Sequence, residues 1–523
     1  MTVETLTATS APRVFHRGET LISARLPAGT RVVYPPPPLP VLPDLDGAID
    51  AALDHPLGMD PFDALLRPGM KVTIAIDDVS LPLPRMRSPD VRARIVGRLL
   101  ERLASGGVDD VHVIAATGLH RRVKAAELRH LVGRRAFDAL HPRRLHNHDA
   151  EDPDGIVSLG TTDEGDPVEL NRRAVESDLL VYVNVSWVPM NGGHKSVGVG
   201  LASYRTIARH HDPTTLAATP SYMAPETSRL HARIDHIGRF VERHLRVFHL
   251  ETTLDNRMFG PGLGFLAASE DALSPSSRAA LAAMRLGLAA MPSALRRRVL
   301  ESVPAAYGVT GVWAGAAEPV HAEALRRCLE QYVVPLHGQA DILVTGVPFV
   351  SPYSVGAPMN PLLVQLMALG YLFNMHRGTP PLRQGGTLVV CHDLAPGFDP
   401  EQHASYAEFF DRALASTRDA HELHRVHEPG FARDPRWVRA YRFGHAYHGA
   451  HPFYMWYWGE RGRRWVGRVI CAGTRNAAAA ARLGWEHAPS LEAALELARD
   501  GVAAPPRITV LHHPPALITD VTP

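Results

Sequence analysis

Three apolar runs, each followed at once by a polar cluster, constrain this chain more than any other feature. "KVTIAIDD" starts at Lys71, "DVHVIAATG" at Asp110 and "DLLVYVNV" at Asp178. Runs this continuous read as strands buried on both faces, the pattern of parallel sheets covered by helices. Between the first two, Val91, Ile95, Leu99 and Leu103 recur at helical spacing until "SGG" at Ser105 stops the helix. Strand, helix and strand repeated in this way predict an α/β fold with a mostly parallel sheet.

A second set of strands, "ADILVTGV", "GGTLVVCHD", "GRVICAG" and "RITVLHH", follows with helices between, one of them capped at Ser490. Residues 268–329 are rich in Ala, Leu and Arg at helical spacing. The expected organisation is an N-terminal α/β domain over 1–267, a helical connection over 268–329 and a C-terminal α/β domain over 330–523. The two mostly parallel sheets are expected to face each other across a cleft, a usual place for a ligand. The proline run from Tyr34 to Leu45 must be extended, because each proline fixes its own φ and restricts its predecessor.

Among 523 residues the formal net charge is +1 and acids and bases are interspersed, which gives no footprint for nucleic acid or an anionic membrane. Small molecules are the expected partners. Cys328, Cys391 and Cys471 are too few and too far apart for a disulfide framework or zinc cluster. No signal core or membrane-spanning apolar run stands out, and a cytoplasmic protein is expected.

In parallel α/β sheets ligands sit beyond the carboxyl ends of the strands. The first strand delivers Asp77, Asp78 and Ser80, the second Thr117, Gly118 and His120, and the third Asn191, Gly192, Gly193 and Lys195. Paired glycines let backbone N–H groups approach a phosphate, although "NGGHK" lacks the P-loop spacing. Lys195 is one of only three lysines, with Lys71 and Lys124, in a chain whose other basic residues are arginines. A lysine amine can lose its proton and be acylated, which a guanidinium does not do. His210 or His211 could return toward Lys195 as a metal ligand, since neutral imidazole suits nickel, copper and zinc. His445, His448 and His451 form a looser metal-like triplet, set against the reading of a packed aromatic loop.

Taken together and in order, "ATGLH", "NHDA", "GGHK" and "ASYRTIARHH" resemble the nickel-pincer nucleotide-dependent lactate racemase family of 2-hydroxyacid racemases and epimerases, most strongly from Lys71 to Asp212. The resemblance implies a nicotinate-derived mononucleotide carrying two thio-acyl groups, one joined to Lys195, and a nickel ion ligated by His211. It implies an acid/base role for His120. It places Asp78, Ser80, Asn191, Gly192 and Gly193 near the cofactor, with Thr117 and Gly118 beside them. Cofactor-synthesis enzymes are then transient partners.

The substrate side departs from the family. Val185 stands where a second acid/base histidine is expected, and Leu81 where an arginine would grip the substrate carboxylate, with Arg85 and Arg87 close by. Leu363 and Leu366 occupy the second-domain positions of a glutamine and a lysine, with Gln365 out of phase. His194 and the His445 to His451 cluster are the imidazoles left to replace the missing base. The function expected is a racemase or epimerase acting by hydride transfer at the carbinol carbon of a hydroxyacid or related compound other than lactate. The alternative is a non-catalytic nucleotide-binding or regulatory protein on the same fold.

Overall fold

A computed structural model describes residues 2–80, 85–395, 397–502 and 505–523. Leu81 therefore lies outside the described residues. The three apolar runs form the strands Lys71–Asp77, Asp110–Ala116 and Leu179–Ser186, and the helix between the first two spans Val91–Ser105. Val91, Ile95, Leu99 and Leu103 are all buried on one face of that helix. At its start the Asp90 carboxylate accepts from the Arg92 N–H at 2.9 Å, which satisfies a backbone donor that the helix cannot.

The first sheet has six strands in the order Val309–Gly315, Val247–Leu254, Leu179–Ser186, Lys71–Asp77, Asp110–Ala116 and Leu145–Asn147. All neighbours are parallel except the first pair. The second sheet is built on Ala340–Pro348, with Leu382–Cys391 and Ile508–Leu511 as its parallel neighbours. The fold is thus α/β with mostly parallel sheets, as the sequence predicts.

Strand pairing crosses the expected domain limits in two places. Arg31–Val33 pairs with Ile508–Leu511, and Arg13–Gly18 pairs with the end of Ala340–Pro348, so the first 33 residues complete the C-terminal sheet. Phe15 and Val32 share a core there with Ile342, Val344 and Val389. The segment expected to be a helical connection holds the helices Pro275–Ala290 and Ser293–Ser302, and also Val309–Gly315, an edge strand of the first sheet. The proline arm links the two units, and Leu42 N–H donates to the Val309 carbonyl at 2.8 Å. The largest apolar core runs through both sheets, from Ile74 and Leu180 to Leu362 and Trp456. Among the described residues no helix is long and apolar enough to cross a membrane.

Candidate functional site

The carboxyl ends of three adjacent parallel strands meet at one place, as strand topology dictates. Asp77 is accepted into the sheet by the Val185 N–H, which donates to its carboxylate at 2.8 Å, and burial pushes its carboxyl up to about 7. Asp78 is shared: Oδ1 accepts from the Ser80 N–H at 2.9 Å, and Oδ2 lies 2.9 Å from His120 Nδ1. A carboxylate only accepts, so the bond assigns the proton of neutral His120 to Nδ1 and leaves a lone pair on Nε2.

His120 is delivered by a turn that needs glycine. Gly118 has φ +51°, and a Cβ there would sit 2.8 Å from the Val199 carbonyl oxygen. The Thr117 hydroxyl donates to the His148 carbonyl at 3.1 Å, so Thr117 and Gly118 shape the turn.

The "NGG" loop turns out to wrap a carboxylate of the protein itself. Glu251 is fully buried and accepts from the Gly193 N–H and the Ser186 hydroxyl, each at 2.7 Å, with His321 Nδ1 at 3.1 Å. Burial opposes its charge, and His321 with these hydrogen bonds prevails and holds the carboxyl below its usual range. A Cβ on Gly192 would fall 2.5 Å from Glu251 Oε2. The Gly193 N–H expected to meet a phosphate is therefore already committed. Asn191 closes the same turn, its Oδ1 accepting from the Val188 N–H at 3.3 Å. Sequence reasoning missed Glu251, whose signal is a lone acid in the apolar "VFHLETTL" strand.

Lys195 opens the helix Lys195–Gly200 and is half-buried. Its Nζ donates to the Met190 carbonyl at 3.0 Å, and burial, opposed by Asp77, lowers it to about 8. His194, by contrast, points away from the cleft, with Nδ1 3.2 Å from Asp235 and Nε2 3.2 Å from Glu242. Both ring nitrogens are committed, which removes it as a replacement base.

His210 and His211 form a relay. His210 Nε2 lies 3.4 Å from the Gly198 carbonyl, and the Nδ1 atoms of the two rings are 2.8 Å apart. The carbonyl requires the proton of His210 on Nε2, so its Nδ1 accepts from His211 Nδ1–H. His211 Nε2 then presents a lone pair and has no protein partner among the described residues. Burial, then His210, Lys195 and His120, keep His211 well below the usual imidazole range, in the neutral form a metal requires.

The C-terminal unit closes the other side. Tyr441 donates to the Gly118 carbonyl at 2.6 Å and the His448 N–H donates to the Leu119 carbonyl at 3.1 Å, docking residues 441–451 on the His120 turn. The His445 to His451 triplet does not converge: His445 Nδ1 donates to the Arg122 carbonyl, His448 Nε2 meets Glu151, and His451 Nδ1 meets Tyr406. Among the described residues no group of three or more His, Cys, Asp or Glu is arranged to hold a metal ion. Only His451 reaches the site, its ring centroid 5.3 Å from that of His120. His211 packs against Tyr454 and Trp458 at 5.3 and 5.4 Å.

On the substrate side, Val185, Leu363 and Leu366 are fully buried in the core. Gln365 is engaged by Arg463, whose Nη1 donates to Oε1 at 2.9 Å. A cavity of about 420 Å³ begins at Asp78 and is walled by Met86, Leu131, Leu300, Val303 and Met359. Arg92 borders it but spends its donors on Asp90 and on the Asp77 and Asp78 carbonyls. Arg85 also lines it, and among the described residues its guanidinium meets His130 Nδ1 at 3.3 Å.

Residues 18–221 match the lactate racemase N-terminal domain family. Over 168 residues, 31% of this chain and 37% of that protein, the chain is 29% identical to a lactate racemase of Lactiplantibacillus plantarum. Over 169 residues, 31% of this chain and 37% of that protein, it is 27% identical to a lactate racemase of Thermoanaerobacterium thermosaccharolyticum. The matched segments thus span little more than a third of those relatives. The solved lactate racemase apoprotein of T. thermosaccharolyticum superposes with a TM-score of 0.62 at 18% identity, covering 97% of this chain and 100% of that one, a likeness of fold.

Proposed function

We propose that this chain, lactate racemase-like over residues 18–221, is a racemase or epimerase of a 2-hydroxyacid or related hydroxy compound that uses a nickel-pincer nucleotide. The observation that carries the reading is the gathering of a half-buried amine, Lys195, and the His120–Asp78 pair around His211, an imidazole with a free lone pair at a helix end, whose charge both Lys195 and His120 disfavour. The donor set fits the group. Lys195 offers a primary amine lowered to about 8, and His211 Nε2 offers a neutral nitrogen for nickel. When bound, the cofactor supplies a hydride acceptor and donor at the carbinol carbon.

The residues of the chain do the rest. Asp78 holds His120 with Nε2 free to take the hydroxyl proton, as a positioned general base must. Tyr454 and Trp458 pack against the His211 ring and limit its orientation. Val185 contributes no proton transfer, and the cavity beside Asp78 has room for a substituent far larger than a methyl group, which argues against lactate as the substrate. The commitment of Gly193 N–H to Glu251 argues against the alternative, a reversible phosphate ligand on the glycine loop.

Intact-mass spectrometry and metal analysis of the protein produced beside the cofactor-synthesis enzymes test the reading. A mass increment carried by the Lys195 peptide with one nickel per chain is expected. An unmodified chain that is fully loaded with nickel, or a nucleotide lost on gel filtration, would refute it.

A further inference from the structure

Where a histidine is missing at Val185, the C-terminal unit supplies a different one. His451 is buried, with 3% of its surface exposed, and its ring packs against the neighbouring rings of Tyr353 and Tyr447, each 4.8 Å away. Its Nδ1 is 2.5 Å from the hydroxyl of Tyr406, a fully buried phenol with no other partner among the described residues. A buried hydroxyl left without an acceptor costs about 1–3 kcal/mol, so Tyr406 donates and His451 Nδ1 accepts. The proton of neutral His451 is then on Nε2, which has no protein partner among the described residues. Burial, then His120 and His211, disfavour the imidazolium. Two imidazoles 5.3 Å apart thus present opposite faces of hydrogen-bond chemistry, a lone pair on His120 and an N–H on His451.

We propose that His120 and His451 together grip the substrate's carbinol oxygen, His120 as the single base and His451 as a neutral hydrogen-bond donor, so that the oxygen is a fixed pivot for inversion. The inference rests on the functional reading above. In the forward step the O–H bond breaks and its proton passes to His120 Nε2. A bound nicotinate-class group would supply the acceptor for the Cα–H pair as hydride, and the oxygen's freed pair would make the second C–O bond. The carbonyl compound then turns about its own C=O axis. That rotation leaves the oxygen in place, exchanges the two faces of the carbon and swaps the carboxylate with the side chain, so that only one enantiomer has its side chain toward the cavity beside Asp78. The same group would return the hydride to the new face, and the same proton returns from His120 to oxygen. Nothing is consumed, and no second base is required. His451 keeps its proton throughout, the use of a neutral imidazole as electrophile rather than acid. The Tyr447 ring packs 4.8 Å from His451 beside this point.

Two measurements test the proposal. In apoprotein labelled with ¹⁵N-histidine, His451 should show a protonated Nε2 and an accepting Nδ1 in wild type, and lose that preference in Tyr406→Phe. A protonated Nδ1 in wild type would overturn the donor role, whether or not the cofactor reading holds. In single-turnover experiments with cofactor-loaded protein and each enantiomer of 2-hydroxyhexanoate, formation of the 2-oxoacid is followed by hydrazine trapping. His120→Ala should abolish it for both enantiomers. His451→Phe, which removes the donor and keeps an aromatic ring, should slow both about equally, by roughly 10²-fold, the scale of a lost oxyanion donor, with Tyr406→Phe less affected. Loss of one enantiomer in His120→Ala and of the other in His451→Phe would establish two bases and refute the pivot, as would an unimpaired His451→Phe. Failure of the wild type to load would count against the functional reading and leave the tautomer result standing.

Discussion

The Nδ1 atoms of His210 and His211 lie 2.8 Å apart, and that contact fixes which nitrogen of His211 is free. Carbonyl, His210 and His211 form a chain of donors that ends in an unshared pair on His211 Nε2, the arrangement by which outer groups orient a metal-binding imidazole. His211→Ala should therefore remove most nickel while the nucleotide mass stays on the protein. His210→Phe, which breaks the relay but keeps the packing, should lower nickel affinity about 10–100-fold. Metal content and intact mass measured on the same samples decide this. Equal nickel in wild type and His211→Ala would move the ligand elsewhere.

Lys195 differs from an ordinary lysine because burial lowers its amine to about 8. The neutral, nucleophilic fraction then rises through pH 8 rather than through about 10.4, the value for a lysine in water. Brief acetylation of the apoprotein at a series of pH values, read peptide by peptide, should give a midpoint near 8 at Lys195. A midpoint above 10 would contradict the burial argument. Lys195→Arg should fold normally and carry no adduct, since only the acylatable amine is lost.

What the sequence discloses about this site is what local pattern can encode. The run of Val91, Ile95, Leu99 and Leu103 disclosed a helix because burial follows the helical period, and the three strand ends disclosed Asp78, His120 and Lys195 because parallel topology gathers them. Glu251 stayed hidden because its partners lie at Ser186, Gly193 and His321, far apart in the chain. The tie of residues 3–33 to the C-terminal sheet was equally illegible, since a short strand carries no mark of which sheet it joins. His445, His448 and His451 look alike at helix-like spacing, yet their rings diverge to a carbonyl, a carboxylate and a phenol, a distinction only the tertiary structure makes.

His194 gives a pH dependence with a definite sign. Burial would lower it, but Asp235 and Glu242 raise it to about 9 from 6.5. A raised folded value means that the imidazolium stabilises the fold fully below pH 6.5, and that this contribution disappears as pH rises through 9. For a side chain only 4% exposed, the shift corresponds to about 3 kcal/mol. Urea unfolding of wild type and His194→Gln between pH 6 and 10 should show the difference in stability shrinking across that window. A difference independent of pH would remove the charge argument and leave only packing. Lys195 works in the opposite direction above pH 8, which is why the comparison must be made against the variant.

The shape of the cavity beside Asp78 fixes an order of substrates. Met86, Leu131, Leu300, Val303 and Met359 form the apolar part of the wall around about 420 Å³ of space, with Glu19, Glu127, Arg296 and Arg297 among its charged lining, and lactate would leave nearly all of it empty. Each methylene buried there should gain about 0.8 kcal/mol, close to a fourfold rise in kcat/KM per carbon until the space is filled. Oxidation by loaded protein of the enantiomer whose side chain faces the cavity should therefore climb from lactate through 2-hydroxybutanoate to 2-hydroxyhexanoate. Leu300 is the residue to change, because it lies half-buried on the Ser293–Ser302 helix, away from the reacting groups, where a larger ring can enter the cavity without disturbing either sheet. Leu300→Trp should flatten the chain-length series while leaving the small residual rate with lactate unchanged. If lactate and 2-hydroxyhexanoate were turned over equally by the wild type, or if Leu300→Trp lowered both to the same extent, the cavity would not be where the substrate's side chain resides.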